Sequence, residues 1–224
     1  MLLHLTNVLD TAKLANIRDM LNKVQFIDGK HSAGMAAEQV KNNEEMQQGT
    51  QQAQYLDQLV MGSLAENADF RSGALPLRVA QPVFARYTPG MRYGNHVDDP
   101  IMGGGMEKFR TDVAITVFLN EPDDYDGGDL VIQSPFGEQH VKYAAGDAVL
   151  YPANSVHRVE EVTRGERLVA VIWLQSMVRD AAKRELLFEL DQARNTLLQQ
   201  NSEDPTAQQV DRSYVNLIRR WSEV

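Results

Sequence analysis

The 224-residue sequence predicts an α+β fold: a jelly-roll core, buttressed by helices on its N-terminal side and extended by helices at its C-terminal end. Three observations carry this. From Leu77 to Met177, short β-prone runs alternate with Gly, Pro, Asn and Asp. The last of these runs is apolar on both faces, so protein must cover each side of it. Before and after this stretch the apolar period lengthens from two to three or four residues, the period of a helix.

Leu14, Ile17 and Leu21 recur at helical spacing after Asp10 and Thr11, either of which can cap the N-terminus. Leu56, Leu59, Val60 and Leu64 make the stripe of a second helix. The polar, Gly-containing stretch from Asp28 to Gly49 between them is expected to be loop. Strands are expected at Leu77–Tyr87, Thr111–Leu119, Leu130–Gln133, Gln139–Tyr143, Ala148–Tyr151 and Leu168–Leu174. Around the last, Arg167, Val169, Val171 and Trp173 share one face, while Leu168, Ala170, Ile172 and Leu174 share the other. Leu186, Leu190, Ala193 and Leu197 then form a helical stripe. After Asn201, Asp204 can cap and Pro205 can open a final helix carrying Tyr214, Leu217, Ile218 and Trp221. The expected division is a helical region at 1–76, the β core at 77–178 and a helical extension at 179–224, whose stripes suit packing on the core or building a homo-oligomer.

Composition narrows the function. A net charge of −9 with no basic cluster argues against nucleic acid as a partner. With no Cys, disulfides, thiolate nucleophiles and cysteine-held metals are excluded, so any metal must use His or oxygen ligands. Without a basic leader or a membrane-length apolar run, the chain is expected to be cytoplasmic and free of the membrane.

His96-Val97-Asp98 places an imidazole and a carboxylate two residues apart, on one side of an extended backbone. Alone the triplet is common, and a partly exposed His near a turn acid is its ordinary explanation. Downstream, Gly146-Asp147-Ala148-Val149-Leu150-Tyr151-Pro152 leads to His157, and Arg167 follows ten residues later. Two His and one carboxylate can hold a metal and leave three adjacent positions open, enough for a bidentate 2-oxoacid and dioxygen. Arg167, on a strand with apolar inward neighbours, needs a carboxylate partner, either from a cosubstrate or from a protein acid such as Glu160 or Glu161.

Arg86-Tyr87-Thr88-Pro89-Gly90-Met91-Arg92-Tyr93-Gly94-Asn95-His96-Val97-Asp98, then Tyr125-Asp126-Gly127-Gly128-Asp129-Leu130, then Tyr151-Pro152 through His157 to Arg167, resembles the prolyl/lysyl hydroxylase branch of the iron(II)/2-oxoglutarate dioxygenases. The similarity is closer still to the bacterial PKHD-type hydroxylases, a group that includes PiuC-like iron-uptake factors. It extends to Val40-Lys41-Asn42-Asn43, Met177-Val178-Arg179-Asp180 and Leu187-Phe188-Glu189-Leu190-Asp191, almost the whole chain.

This resemblance implies a double-stranded β-helix core with Fe(2+) at catalytic His96, Asp98 and His157, and 2-oxoglutarate at Arg167. It implies C–H hydroxylation of an unidentified prime substrate, whether protein, peptide or small molecule, using dioxygen, with L-ascorbate as a reductant and a link to iron uptake. Tyr87 and Tyr93 are candidates for the wall around the cosubstrate or for strand packing. Trp173 is expected in the core wall. Lys41, Asn42 and Asn43 are read as a solvated loop within reach of substrate, and Gly103-Gly104-Gly105 as a lid or a plain loop. His4, His31 and His140 lack a ligand pattern. Two further readings compete: a non-catalytic sensor of iron or 2-oxoglutarate on the same fold, and a cupin-like structural or sugar-binding β domain in which the His residues are incidental.

Overall fold

The structure, a computed structural model, describes residues 1–32 and 34–224. In chain order the elements are β1 (Leu3–Leu5), α1 (Thr11–Leu21), β2 (Phe26–Asp28), α2 (Met35–Glu38), β3 (Lys41–Asn42), β4 (Glu44–Met46), α3 (Gln51–Glu66) and α4 (Ala68–Ala74). The β-rich stretch follows with β5 (Pro76–Val79), β6 (Val83–Tyr87), β7 (Arg92–His96), β8 (Ile101–Met102), β9 (Phe109–Arg110) and β10 (Val113–Phe118). It continues with β11 (Tyr125–Gly127), β12 (Leu130–Ser134), β13 (Gly137–Val141), β14 (Ala148–Pro152), β15 (His157–Val159), β16 (Val162–Gly165) and β17 (Arg167–Ser176). The chain closes with α5 (Ala181–Gln200) and α6 (Pro205–Trp221).

The strands build an antiparallel double-stranded β-helix. The major sheet runs β1-β14-β10-β17-β6-β4-β2, with β5 also pairing β17, and the minor sheet runs β13-β12-β15-β7-β3. The two-residue period of β17 sorts its side chains as expected. Leu168, Ala170, Ile172 and Leu174 join a core shared with Leu14, Ile17 and Leu21 of α1 and Leu56, Val60 and Leu64 of α3. Val169, Val171 and Trp173 turn into a second core between the two sheets, with Tyr87, Tyr151 and Leu130. The N-terminal helices therefore back the outer face of the major sheet, which explains why its central strands are apolar on both faces.

Asp10 caps α1 by accepting from the Lys13 N–H, and Asp204 caps α6 by accepting from the Thr206 and Ala207 N–H groups, with Pro205 in the first turn. Tyr214, Leu217, Ile218 and Trp221 of α6 pack around Leu75, Val178 and Leu187.

Three expectations need correction. Leu77–Tyr87 is two strands, β5 and β6, both paired to β17 and broken around Pro82, which has no N–H for a ladder. Asp28–Gly49 is not plain loop: β4 pairs β6 and β3 pairs β7, and Lys41, Asn43 and Glu45 are buried. The buried face of α5 is Arg184, Leu187 and Asp191, one residue round from the stripe through Leu186, which is 57% exposed. The reason is polar. Arg184 donates to the Val178 and Arg179 carbonyls, and Asp191 pairs with Arg194, which also binds Asp211 of α6. No described helix is long and apolar enough to cross a membrane.

Candidate active site

The site lies between the two sheets, in a cavity of about 890 Å³. His96, at the end of β7, and His157, at the start of β15, are direct cross-strand partners in the minor sheet. That register sets the two imidazoles side by side, ring centroids 4.2 Å apart. Asp98, two residues beyond His96, returns to the same side, with Oδ1 3.8 Å from His157 Nε2. Each of the three offers one ligand atom within 4.8 Å of the others.

The surroundings fix how the ligands are presented. His96 Nδ1 lies 2.8 Å from the Gly94 carbonyl and His157 Nδ1 3.0 Å from the Ser155 carbonyl. A carbonyl only accepts, so each Nδ1 carries a proton, and in a neutral ring so held Nε2 is the nitrogen left with a lone pair for a metal. Burial, and then the charge of neighbouring His157, lower the His96 pKa to about 4, so its ring is neutral at ordinary pH. Burial also raises the Asp98 carboxyl, against the lowering pull of His157. Asp98 Oδ2 is buried without a hydrogen-bond partner, as is the nearby Trp173 Nε1, which therefore stands in the cavity wall as expected.

Arg167 opens β17 beside Tyr87 of β6, its register partner. It is 1% exposed, and its Nε and Nη1 have no hydrogen-bond partner. Glu160 is taken by Arg158 at 3.2 Å and Glu161 by Arg92 at 3.3 Å, so neither protein acid satisfies it. Among the described residues no carboxylate lies within 4.0 Å of this guanidinium. The Tyr87 ring centroid is 5.0 Å from Arg167 Cζ, and burial pushes the Tyr87 phenol up to about 12, against the lowering effect of Arg167. A buried, uncompensated guanidinium is costly, and a ligand carboxylate in the cavity would satisfy it. Gly128 makes the space: at φ +68°, a Cβ there would stand 3.1 Å from Arg167 Cδ and 3.0 Å from Tyr125 Cε2.

Tyr93 of β7 stacks on His96, centroids 3.7 Å apart and planes 13° off parallel. Tyr151 meets His157 edge-on at 5.2 Å. Lys41, Asn43 and Glu45 also line the cavity. Their alternation at every second position is strand-like, but all three are polar, so no hydrophobic signal marked them. Asn42 points outward, with its side chain donating to the Gly90 carbonyl. Met102 at the end of β8, with Gly103 and Met106 between β8 and β9, borders the same cavity. A second cluster, Asp129, His140 and Glu160, lies on the outer side of the minor sheet, half open to solvent and with Glu160 held by Arg158. His4 stacks on Tyr143 and binds Asp147, away from the cavity.

With this geometry in place, the relatives are decisive. A PKHD-type hydroxylase of Thioalkalivibrio sulfidiphilus is 47% identical over 224 residues, and one of Synechococcus elongatus 42% over 223, each alignment covering both chains fully. The chain belongs to the PKHD-type hydroxylases. The 2OG-Fe(II) oxygenase superfamily model matches residues 82–175, and the PKHD-type hydroxylase C-terminal domain model matches 181–223. The fold is shared with a Trichoplax adhaerens prolyl hydroxylase in complex with a hypoxia inducible factor peptide fragment. That chain is 15% identical with TM-score 0.56, over 83% of this chain and 86% of that one. It is shared too with HygX of Streptomyces hygroscopicus, bound to nickel, 2-oxoglutarate and hygromycin B. There the identity is 14% and the TM-score 0.51, over 78% and 82% of the two chains. As a PKHD-type hydroxylase the chain is a 2-oxoglutarate- and iron(II)-dependent dioxygenase.

Proposed function

We propose that His96, Asp98 and His157 hold the iron(II) of this hydroxylase and that Arg167 grips the distal carboxylate of 2-oxoglutarate. The observation that carries the reading is a pair of unmatched demands on one cavity: three converging ligand atoms at one point, and a buried guanidinium with unpaired donors. Iron(II), 2-oxoglutarate and dioxygen together supply the oxidising chemistry, placing one oxygen atom in a substrate C–H bond while the diacid is converted to succinate and carbon dioxide.

The chain's own contribution is binding, orientation and exclusion of water. Arg167 presents a rigid planar fork that matches a carboxylate, and Gly128 leaves room for its stem. The neutral imidazole of His96 is ready to bind a cation without first losing a proton. Val171 and Trp173 line the wall beside Arg167, which keeps the pocket dry and strengthens the ion pair formed there. Ascorbate is read as the reductant that keeps the metal ferrous. The prime substrate enters the rest of the cavity, between Tyr93 and the β8–β9 hairpin.

The test is succinate formation from 2-oxoglutarate, followed with and without added iron(II), in parent, His157→Ala and Asp98→Ala proteins. Both variants are expected to lose turnover by more than a hundred-fold. Full turnover in either removes the ligand assignment. Incubating the iron-loaded protein with a cell extract and 2-oxoglutarate, then searching by mass spectrometry for a gain of one oxygen, identifies the substrate.

A further inference from the structure

The segment Val40–Glu45 lies outside the residues matched by the oxygenase model, yet it forms part of the cavity wall. Lys41 is the register partner of Tyr93 across β3 and β7. The Gly94 N–H donates to the Val40 carbonyl at 2.9 Å, and Val40 packs so closely that a Cβ on Gly94 would stand 2.8 Å from the Val40 Cβ. The Lys41 ammonium donates to Ser32 Oγ at 2.8 Å and to Glu45 Oε1 at 2.5 Å, and lies 5.2 Å from the centroid of the Tyr93 ring. Tyr93 in turn stacks on His96. Ion pair, tyrosine and imidazole thus form one continuous column, and His96 Nδ1 is pinned separately to the Gly94 carbonyl.

Burying an ion pair is a poor source of stability, because desolvation of both charges offsets most of their attraction. Lys41 and Glu45 expose only 7% and 12% of their side chains, so this pair calls for another role. We propose that Tyr93, held in place by the Lys41–Glu45 pair, is a positioning residue for His96. The stack restricts rotation of the imidazole about its Cβ–Cγ bond, the Nδ1 hydrogen bond restricts its tilt, and Nε2 is left aimed at the metal. Glu45 neutralises the ammonium, which would otherwise repel a divalent cation across the tyrosine ring. The N-terminal segment thereby completes a metal site whose ligands all lie in the oxygenase core. This inference rests on the reading of His96 as a metal ligand.

The test uses the full chain, with Mn(II) affinity measured by calorimetry and the visible ligand-field spectrum of the Co(II)-loaded protein as a second readout. Tyr93→Leu is expected to weaken Mn(II) binding by about ten-fold, the low end for residues that orient a ligand, and to change the Co(II) spectrum. Tyr93→Phe keeps the ring and should restore both. Lys41→Met retains the aliphatic stem and should cost about three-fold, the equivalent of one cation–π contact. Glu45→Gln, which leaves the ammonium uncompensated, should weaken Mn(II) binding at least as much as Lys41→Met. His96→Ala is the reference. If it binds Mn(II) as the parent does, the ligand assignment falls. If it loses Mn(II) while folded Tyr93→Leu and Lys41→Met bind as the parent does, the assignment stands and the positioning role is overturned. Should Tyr93→Leu fail to fold, unchanged affinity in Lys41→Met overturns it alone.

Discussion

On the proposed reading Arg167 anchors the cosubstrate, and its position depends on a residue with no side chain. Gly128 has φ +68°, a conformation that costs an L residue about 1–2 kcal/mol. The space a Cβ would need is filled by Tyr125, Val162 and the Arg167 stem at 3.0–3.1 Å, all of them buried. Gly128→Ala is therefore expected to displace Arg167 and lower 2-oxoglutarate affinity by about ten-fold, in line with a few tenths of an ångström lost from a charge-assisted pair. Metal affinity should stay within two-fold of the parent, because neither His nor Asp98 touches Gly128. Titrating 2-oxoglutarate into the Mn(II)-loaded variant and parent checks this; equal affinities would detach Gly128 from Arg167. How much of the site could be read in advance follows from the same residues. His96, Asp98, His157 and Arg167 could be singled out in advance because their residue types and spacing together suit metal and carboxylate chemistry, and the fold brings the first three within reach of one another. Glu45, Trp173 Nε1 and Tyr125 could not, because an isolated acid or aromatic carries no signal until the fold shows it buried, Glu45 against Lys41 and the other two without a hydrogen-bond partner.

At the scale of elements, the strands that were legible are those that build the core. β10, β12, β14 and β17 alternate or run apolar, and their expected extents match the structure to within a residue or two. β3, β4, β7 and β15 were poorly marked because their inward positions include Lys41, Glu45, Tyr93, His96 and His157, which face the cavity. These strands break the hydrophobic period because they turn charged and polar side chains into the cavity. Helix α3 was legible from its apolar stripe, and its buried face also carries one acid, Asp57. Asp57 has an unpaired Oδ1, and burial raises its carboxyl pKa to about 6. The folded-state value lies above the unfolded one, so the fold favours the protonated acid. The associated stability is fully present below about pH 4 and is lost as pH rises through about 6. Asp57→Asn removes the charge. Relative to the parent it should be near neutral at pH 4 and more stable by about 1 kcal/mol at pH 7, a figure discounted for screening by nearby water. Urea denaturation of both proteins at several pH values measures the difference. A difference that does not grow with pH would show that the Asp57 carboxylate is well solvated.

At the scale of the whole molecule, the proposed ligands come from different layers. His96 and His157 belong to the minor sheet, and Arg167 with Tyr87 to the major sheet, while β3, from the N-terminal segment, pairs the edge of the minor sheet beside them. A metal bound at His96, Asp98 and His157 ties together parts of one sheet and the loop beyond it. A diacid that reaches from that metal to Arg167 ties one sheet to the other. Each ligand binds the native state and not the unfolded chain, so at a concentration a hundred-fold above its Kd it adds about 2.7 kcal/mol. For a domain of this size that corresponds to roughly 5–10 °C in Tm. Mn(II) alone is expected to raise the midpoint by about that amount, and 2-oxoglutarate with Mn(II) to raise it by a second increment. Arg167→Met should keep the first increment and lose most of the second, since its aliphatic stem still fills the pocket but offers the carboxylate no donor. Scanning calorimetry of parent and variant, each with no ligand, with Mn(II), and with Mn(II) and 2-oxoglutarate, separates the two. A full second increment in Arg167→Met would mean that the diacid is anchored elsewhere, and that the buried guanidinium serves the joint between the sheets.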